Sequence, residues 1–175
     1  MSELESRIKS TIRDVPDFPK PGIVFKDITP VLARHELMHG ITDAFAKRAA
    51  GRRIDAIVGM ESRGFLFGVP LAMRLGVPFV PARKPGKLPY QKVSESYALE
   101  YGSATLELHV DALERGQRAL VIDDLIATGG TALATAKLIE KLGAEVVGFG
   151  FVIELGFLDG RKTLAGYDVD AIVSY

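Results

Sequence analysis

Asp123 and Asp124 stand side by side in the run VIDDLIATGGT, Val121 to Thr131, immediately ahead of a threonine-flanked glycine pair. Adjacent carboxylates repel an anion, so their partners are sugar hydroxyls, a divalent cation or a developing positive charge. Ala127, Thr128, Gly129, Gly130 and Thr131 offer the opposite chemistry. Their glycines let the backbone approach an anion, and the two threonine hydroxyls add donors to the free N–H groups of a helix start. A phosphate cradle beside a diol clamp suits a sugar phosphate. No lysine follows the second glycine and the glycine spacing is not G-x-G-x-x-G, so neither common nucleotide-phosphate loop is present.

A second anion site is expected at Glu61, Ser62, Arg63 and Gly64, where backbone N–H groups of a helix start lie beside an arginine fork. The alternative on these residues alone is that Arg63 merely caps the helix or pairs with an acid. Arg83, Lys84 and Lys87 put three cations at the mouth of the segment Pro85 to Ser96, either to meet an anion or as an ordinary solvated loop. His35, Glu36 and His39 spell H-E-x-x-H, a zinc-hydrolase motif. The apolar stripe of that helix is Leu37, Ile41, Ala44 and Phe45, which turns both histidines toward water and argues against a metal cleft.

Positioning these groups requires strands and helices in alternation. Leu4, Ile8 and Ile12 predict a helix over Glu3 to Arg13, and Pro16, Pro19, Pro21 and Gly22 then impose an extended segment leading to Ile23–Phe25. Further on, the pattern predicts a helix from Glu36 to Ala50, a strand from Ile54 to Met60, a helix from Gly64 to Leu75 and a strand from Phe79 to Lys84. Pro85 to Ser96 shows no periodicity and is expected to be a functional connection. A β pair, Tyr97–Tyr101 with Thr105–Val110, should follow it. Arg118–Ile122 is expected as a buried strand, Asp123–Gly130 as the turn, and Thr131–Leu142 as the helix after it. Strands at Glu145–Leu155 and Ala171–Ser174 complete an α/β fold, an open parallel sheet flanked by helices, with ligands at the strand ends.

With 175 residues, one domain over 1–175 is expected. The 22 basic and 22 acidic residues cancel, which argues against nucleic-acid or membrane-surface binding by bulk charge. No cysteine occurs, the first residues MSELESRIKSTIRDV lack a signal-peptide core, and no apolar run has membrane-spanning length. A cytoplasmic protein is expected.

The acid-acid-x-x-A-T-G-G-T pattern resembles the phosphoribosyl diphosphate motif of the type I phosphoribosyltransferases. Four further stretches resemble the adenine phosphoribosyltransferases within that family, in the same order: PDFPKPGIVFKDITP (Pro16–Pro30), ESRGFLFG (Glu61–Gly68), RKPGKLP (Arg83–Pro89) and YALEYG (Tyr97–Gly102). The resemblance covers nearly the whole chain from about Ile8. It implies a small hood over the base, at about residues 14–30, and a flexible loop with a β pair. It also implies a pyrophosphate loop at Glu61–Gly64, often with a cis peptide at Glu61–Ser62, and a homodimer. In the hood, Phe25 would supply an aromatic wall and Lys26 a cation or stem near the ring, while Leu125 covers the other face. Many relatives carry arginine where Lys26 stands. A backbone C=O of Val24 and N–H of Lys26 could match the donor N6 and acceptor N1 of adenine, whereas hypoxanthine inverts both. The choice of base thus rests on the resemblance.

The implied reaction is magnesium-dependent transfer: adenine and phosphoribosyl diphosphate give AMP and pyrophosphate. Asp123 and Asp124 would orient ribose hydroxyls, and Ala127–Thr131 would anchor the 5′-phosphate. Arg63, Lys84, Lys87 and magnesium would offset the charge on pyrophosphate, with the ion held mainly by substrate and water. Glu100, beside Tyr101, would accept the N7 proton. Transfer to another base, or a non-catalytic protein sensing phosphoribosyl diphosphate, are the alternatives.

Overall fold

The structure, a computed structural model, describes residues 2–98 and 103–175. Glu100 and Tyr101 lie outside the described residues. The chain begins with α1 (Glu3–Thr11), β1 (Arg13–Pro16), β2 (Val24–Asp27), α2 (Thr29–Leu32) and α3 (His35–Ala49). It continues through β3 (Ala56–Met60), α4 (Gly64–Leu75), β4 (Phe79–Ala82), β5 (Lys92–Ala98) and β6 (Ser103–His109). The last elements are β7 (Arg118–Ile126), α5 (Gly130–Lys141), β8 (Glu145–Glu154), α6 (Gly160–Thr163) and β9 (Val169–Ser174).

Five parallel strands in the order β4-β3-β7-β8-β9 form the central sheet, as the alternation of strands and helices predicts. Successive residues of a strand face opposite sides, and the core divides accordingly. Ala56, Val58, Met60, Ala119 and Val121 face α5 and the β5–β6 pair. Ile57, Leu120 and Ile122 face the buried sides of α1, α3 and α4. The chain runs outward from β3 to β4, then crosses to β7 on the other side of β3, so the strand order reverses between β3 and β7. Open α/β sheets part at such a switch point and take ligands there.

Three expectations are corrected. The central strand does not stop at Ile122: it runs through both aspartates to Ile126, because β8 continues to pair with it at Leu125↔Ile153 and Ile126↔Glu154. Asp123 and Asp124 are therefore strand residues, and the turn is shorter than expected. The segment Pro85–Ser96 is not all loop, since Lys92–Ser96 belong to β5 and only residues 84–91 lack regular structure before it. The N-terminal proline stretch is not merely extended. Residues Arg13–Pro16 pair antiparallel with Val24–Asp27 in a separate two-stranded sheet, which also ends the first helix at Thr11. Cross-strand pairs of opposite charge, Arg13↔Asp27 and Asp14↔Lys26, sit in its register.

Candidate active site

Beyond the switch point, the C-terminal ends of β3 and β7 frame a cavity of about 490 Å³. Glu61, Ser62 and Arg63 line it from one side, Asp123 through Thr131 from the other, and Lys84, Tyr97 and Leu106 contribute from the β4–β5 side. The two anion sites read separately in the sequence thus face one cavity.

Gly64 brings them together. A Cβ there would lie 2.6 Å from the Ile122 carbonyl oxygen, so only glycine lets the start of α4 approach β7 this closely. As a result Arg63 Nε lies 2.5 Å from Asp124 Oδ2, and Asp124 is buried, at 4% exposure. The pairing with an acid, left open for Arg63, is realised through Nε, one of the five N–H donors of the fork. Arg63 remains half exposed and its guanidinium carbon lies 5.7 Å from the Phe25 ring centroid. The preceding Glu61–Ser62 peptide is cis, as the resemblance implies.

Asp123 and Asp124 occupy different environments. The Asp124 N–H donates to Asp123 Oδ1 at 2.8 Å. Burial, followed by the neighbouring Asp124 charge, holds the Asp123 carboxyl well above the ordinary value of 3.8. Glu61 is committed elsewhere: its Oε2 accepts from Arg83 Nε at 3.1 Å and from the Lys84 N–H at 2.9 Å. Burial pushes Glu61 up, but the Lys84 N–H, Arg83 and the charge of Lys87 outweigh it and leave the carboxyl below 4.5. Lys84 lines the cavity, whereas exposed Lys87 touches it only through this field.

The turn from β7 into α5 is built as an anion cradle. Gly129 takes a left-handed φ of 82°, and the first intrahelical bond, Leu133 N–H to Gly129 O, leaves the Gly130, Thr131 and Ala132 N–H groups ahead of it. Short helix α6, unread in the sequence, braces this turn from behind. Thr163 Oγ1 donates to the Thr128 carbonyl at 2.6 Å, and a Cβ on Gly160 would stand 2.3 Å from the Ala127 oxygen. On the front side, Thr131 Oγ1 donates to the Tyr97 hydroxyl at 3.0 Å. Tyr97 was read as the start of a strand and of the YALEYG stretch, with no role at the site. Its place in the cavity follows from β5 lying along α5, which no local pattern reveals.

Leu125 lines the cavity, whereas Val24, Phe25 and Lys26 do not, Phe25 reaching only the lining residue Arg63. The Lys26 cation is held by groups of the fold itself. Its Nζ pairs with Asp14 Oδ1 at 2.7 Å and lies 4.1 Å from the Tyr175 ring centroid, so the side chain staples β1, β2 and the C-terminal tyrosine together. His35 and His39 project outward as expected, with the His35 side chain 89% exposed. Among the described residues no group of three or more metal-ligating side chains comes together.

A family model described as "Phosphoribosyl transferase domain" matches residues 28–170. An adenine phosphoribosyltransferase of Desulfitobacterium hafniense (strain Y51) is 58% identical over 164 residues, covering 94% of this chain and 95% of that protein. The crystal structure of adenine phosphoribosyltransferase from Thermoanaerobacter pseudethanolicus superposes with a TM-score of 0.95 at 54% identity, over 97% of this chain and 99% of that one. The Saccharomyces cerevisiae enzyme, solved with an imino-altritol bisphosphate and adenine, superposes with a TM-score of 0.93 at 40% identity, over 98% and 99%. The match spans both halves of the cavity wall, the hood and the β5–β6 pair, and by it this chain belongs to the adenine phosphoribosyltransferases of the phosphoribosyltransferase family.

Proposed function

We propose that this chain transfers the 5-phosphoribosyl group from phosphoribosyl diphosphate to adenine, giving AMP and pyrophosphate. The observation that carries the reading is the convergence of the Glu61–Arg63 turn and the Asp123–Thr131 run on one cavity at the sheet's switch point. The whole chain, residues 1–175, acts as one transferase unit with its hood at about residues 14–30.

Ala127–Thr131 hold the 5′-phosphate, and Asp123 and Asp124 face the ribose hydroxyls. Arg63 uses the N–H groups not engaged by Asp124 on the leaving pyrophosphate, with Lys84 at the rim and Lys87 behind it. The bond from C1′ to the diphosphate oxygen breaks as the bond from C1′ to N9 of adenine forms, through oxocarbenium-like charge on the sugar. Glu100 accepts the proton from N7, with Tyr101 beside it. Fixing the sugar phosphate in register with the base is a positioning effect worth several powers of ten.

Each carboxylate at the cavity is already engaged: Glu61 by Arg83 and Lys84, Asp124 by Arg63, Asp123 by the Asp124 N–H. That donor set fits a magnesium ion carried on substrate oxygens, where it neutralises diphosphate charge. Base readout falls to the hood backbone, with Phe25 and Leu125 flanking the ring. Val24 and Lys26 are two apart on β2, so their backbone groups point the same way, and β2 pairs on one side only among the described strands.

A homodimer is supported by α4. Its inner face is buried, yet Leu66, Val69 and Met73 on the outer face are 43%, 39% and 79% exposed, so the helix is apolar nearly all round. A second copy of the chain covers this stripe, which starts one turn from Arg63. No helix among the described residues is long and apolar enough to cross a membrane. With no cysteine and balanced charge, this supports a cytoplasmic enzyme without nucleic-acid partners.

The test is to incubate the purified chain with phosphoribosyl diphosphate, magnesium and, in turn, adenine, hypoxanthine, guanine and orotate, and to follow pyrophosphate release. Release with adenine alone is expected. Release with another base reassigns the specificity, and binding of phosphoribosyl diphosphate with no release for any base reassigns the chain to a sensor.

A further inference from the structure

The geometry points to Tyr97 as a positioning residue for the sugar-phosphate anchor, an inference that rests on the proposed role of Ala127–Thr131. Its hydroxyl is 3.0 Å from Thr131 Oγ1, and both residues line the cavity. The phenol is carried by a packed ring and not by a loose side chain, since Tyr97 lies against the core face of the sheet. Its strand is in turn fixed to α5. Glu95 pairs with Lys137 at 3.3 Å and with Lys141 at 2.5 Å, and Lys141 Nζ donates to the Ser94 carbonyl at 2.9 Å.

Each of the two hydroxyls has one proton to give and lone pairs to receive. In the structure Thr131 gives its proton to Tyr97. A phosphate offers only acceptors, so a bound 5′-phosphate competes for that same proton. The pair resolves the competition by reversing: Tyr97 O–H donates to Thr131 Oγ1, and Thr131 O–H donates to the phosphate. The resulting chain fixes the threonine rotor on the anion and polarises its O–H, each hydrogen bond strengthening the next. Phenylalanine keeps the ring and its packing but removes the first link. Valine at 131 removes the middle one.

Binding of ribose 5-phosphate and AMP, and steady-state kinetics, should be compared for wild type, Tyr97→Phe, Thr131→Val and the double variant. Tyr97→Phe is expected to weaken both phosphate ligands and raise the KM for phosphoribosyl diphosphate about three- to tenfold, as for loss of one hydrogen bond. Adenine KM, kcat and melting temperature should stay near wild type. In the Thr131→Val background the same substitution should add almost nothing, because the link it breaks is already gone. Unchanged ribose 5-phosphate affinity in Tyr97→Phe, an equal loss for adenine, or an undiminished effect in the Thr131→Val background overturns the role of Tyr97 alone. Indifference of phosphate affinity to Thr131→Val as well overturns the proposed anchor with it.

Discussion

Neighbouring aspartates with the same side chain do different work because the fold treats them differently. Asp124 is buried against Arg63, so removing the arginine strands a charge: Arg63→Ala exposes a loss that a purely catalytic residue would not show. Asp123, whose carboxyl burial holds well above 3.8, keeps a proton in the folded state that the unfolded chain has already released. Stability therefore falls as pH rises from 3.8 through the folded value, relative to a variant that cannot ionise. Thermal unfolding of wild type and Asp123→Asn across about pH 4 to 8 should show the variant gaining on wild type with rising pH, by at most about 1.4 kcal/mol per pH unit. A constant difference would mean that Asp123 is ionised in the fold. The types of these residues were legible in the sequence, since two acids beside T-G-G-T leave few other uses. Their inequality was not, because it depends on Gly64 admitting α4 to within contact of β7. The contacts of the Lys26 cation were illegible for the same kind of reason: Asp14 and Tyr175, which hold it, are remote along the chain.

Elements with a strong internal period were readable and those that depend on a neighbour were not. α3 carries an apolar stripe at helical spacing, and α4, apolar nearly all round, ends at Gly76 in the left-handed conformation that the sequence signals. β5 hid because Glu95 occupies an inward position between Val93 and Tyr97. It breaks the apolar alternation, and only the two lysines of α5 make that position acceptable. β1 hid behind its proline and charges, although the charge pairing with β2 was there to be found. α6 is four residues long and exists by packing on the β7–α5 turn, so no local pattern announces it. Its bracing role is testable. Gly160→Ala, which drives a Cβ into the Ala127 oxygen, should cost about 1–3 kcal/mol in unfolding free energy and raise the KM for phosphoribosyl diphosphate. Thr163→Val should cost about 1 kcal/mol with a smaller KM increase, and Thr163→Ser should restore both. Normal KM values in both destabilised variants would show α6 to be packing only.

At the scale of the whole molecule, α4 links the Arg63 turn, which immediately precedes it, to the surface proposed for association, the uncovered Leu66, Val69 and Met73 stripe on its outer face. Met73→Asp should leave the fold of the single chain intact, since the side chain is 79% exposed there, while shifting the sedimentation coefficient from dimer to monomer. An unchanged sedimentation profile would place any dimer contact elsewhere. The sheets divide the labour differently. The seat proposed for the ribosyl donor rests on five strands paired edge to edge and is touched by Tyr97 of β5, whereas the hood proposed for the acceptor is a ribbon of two strands, β1–β2. Such ribbons are marginal alone and take their shape from what they lean on. Drift in the residues of the β1–β2 ribbon can retune which nucleobase is admitted without disturbing the donor seat, so the architecture leaves one half of the reaction conservative and the other open to retailoring.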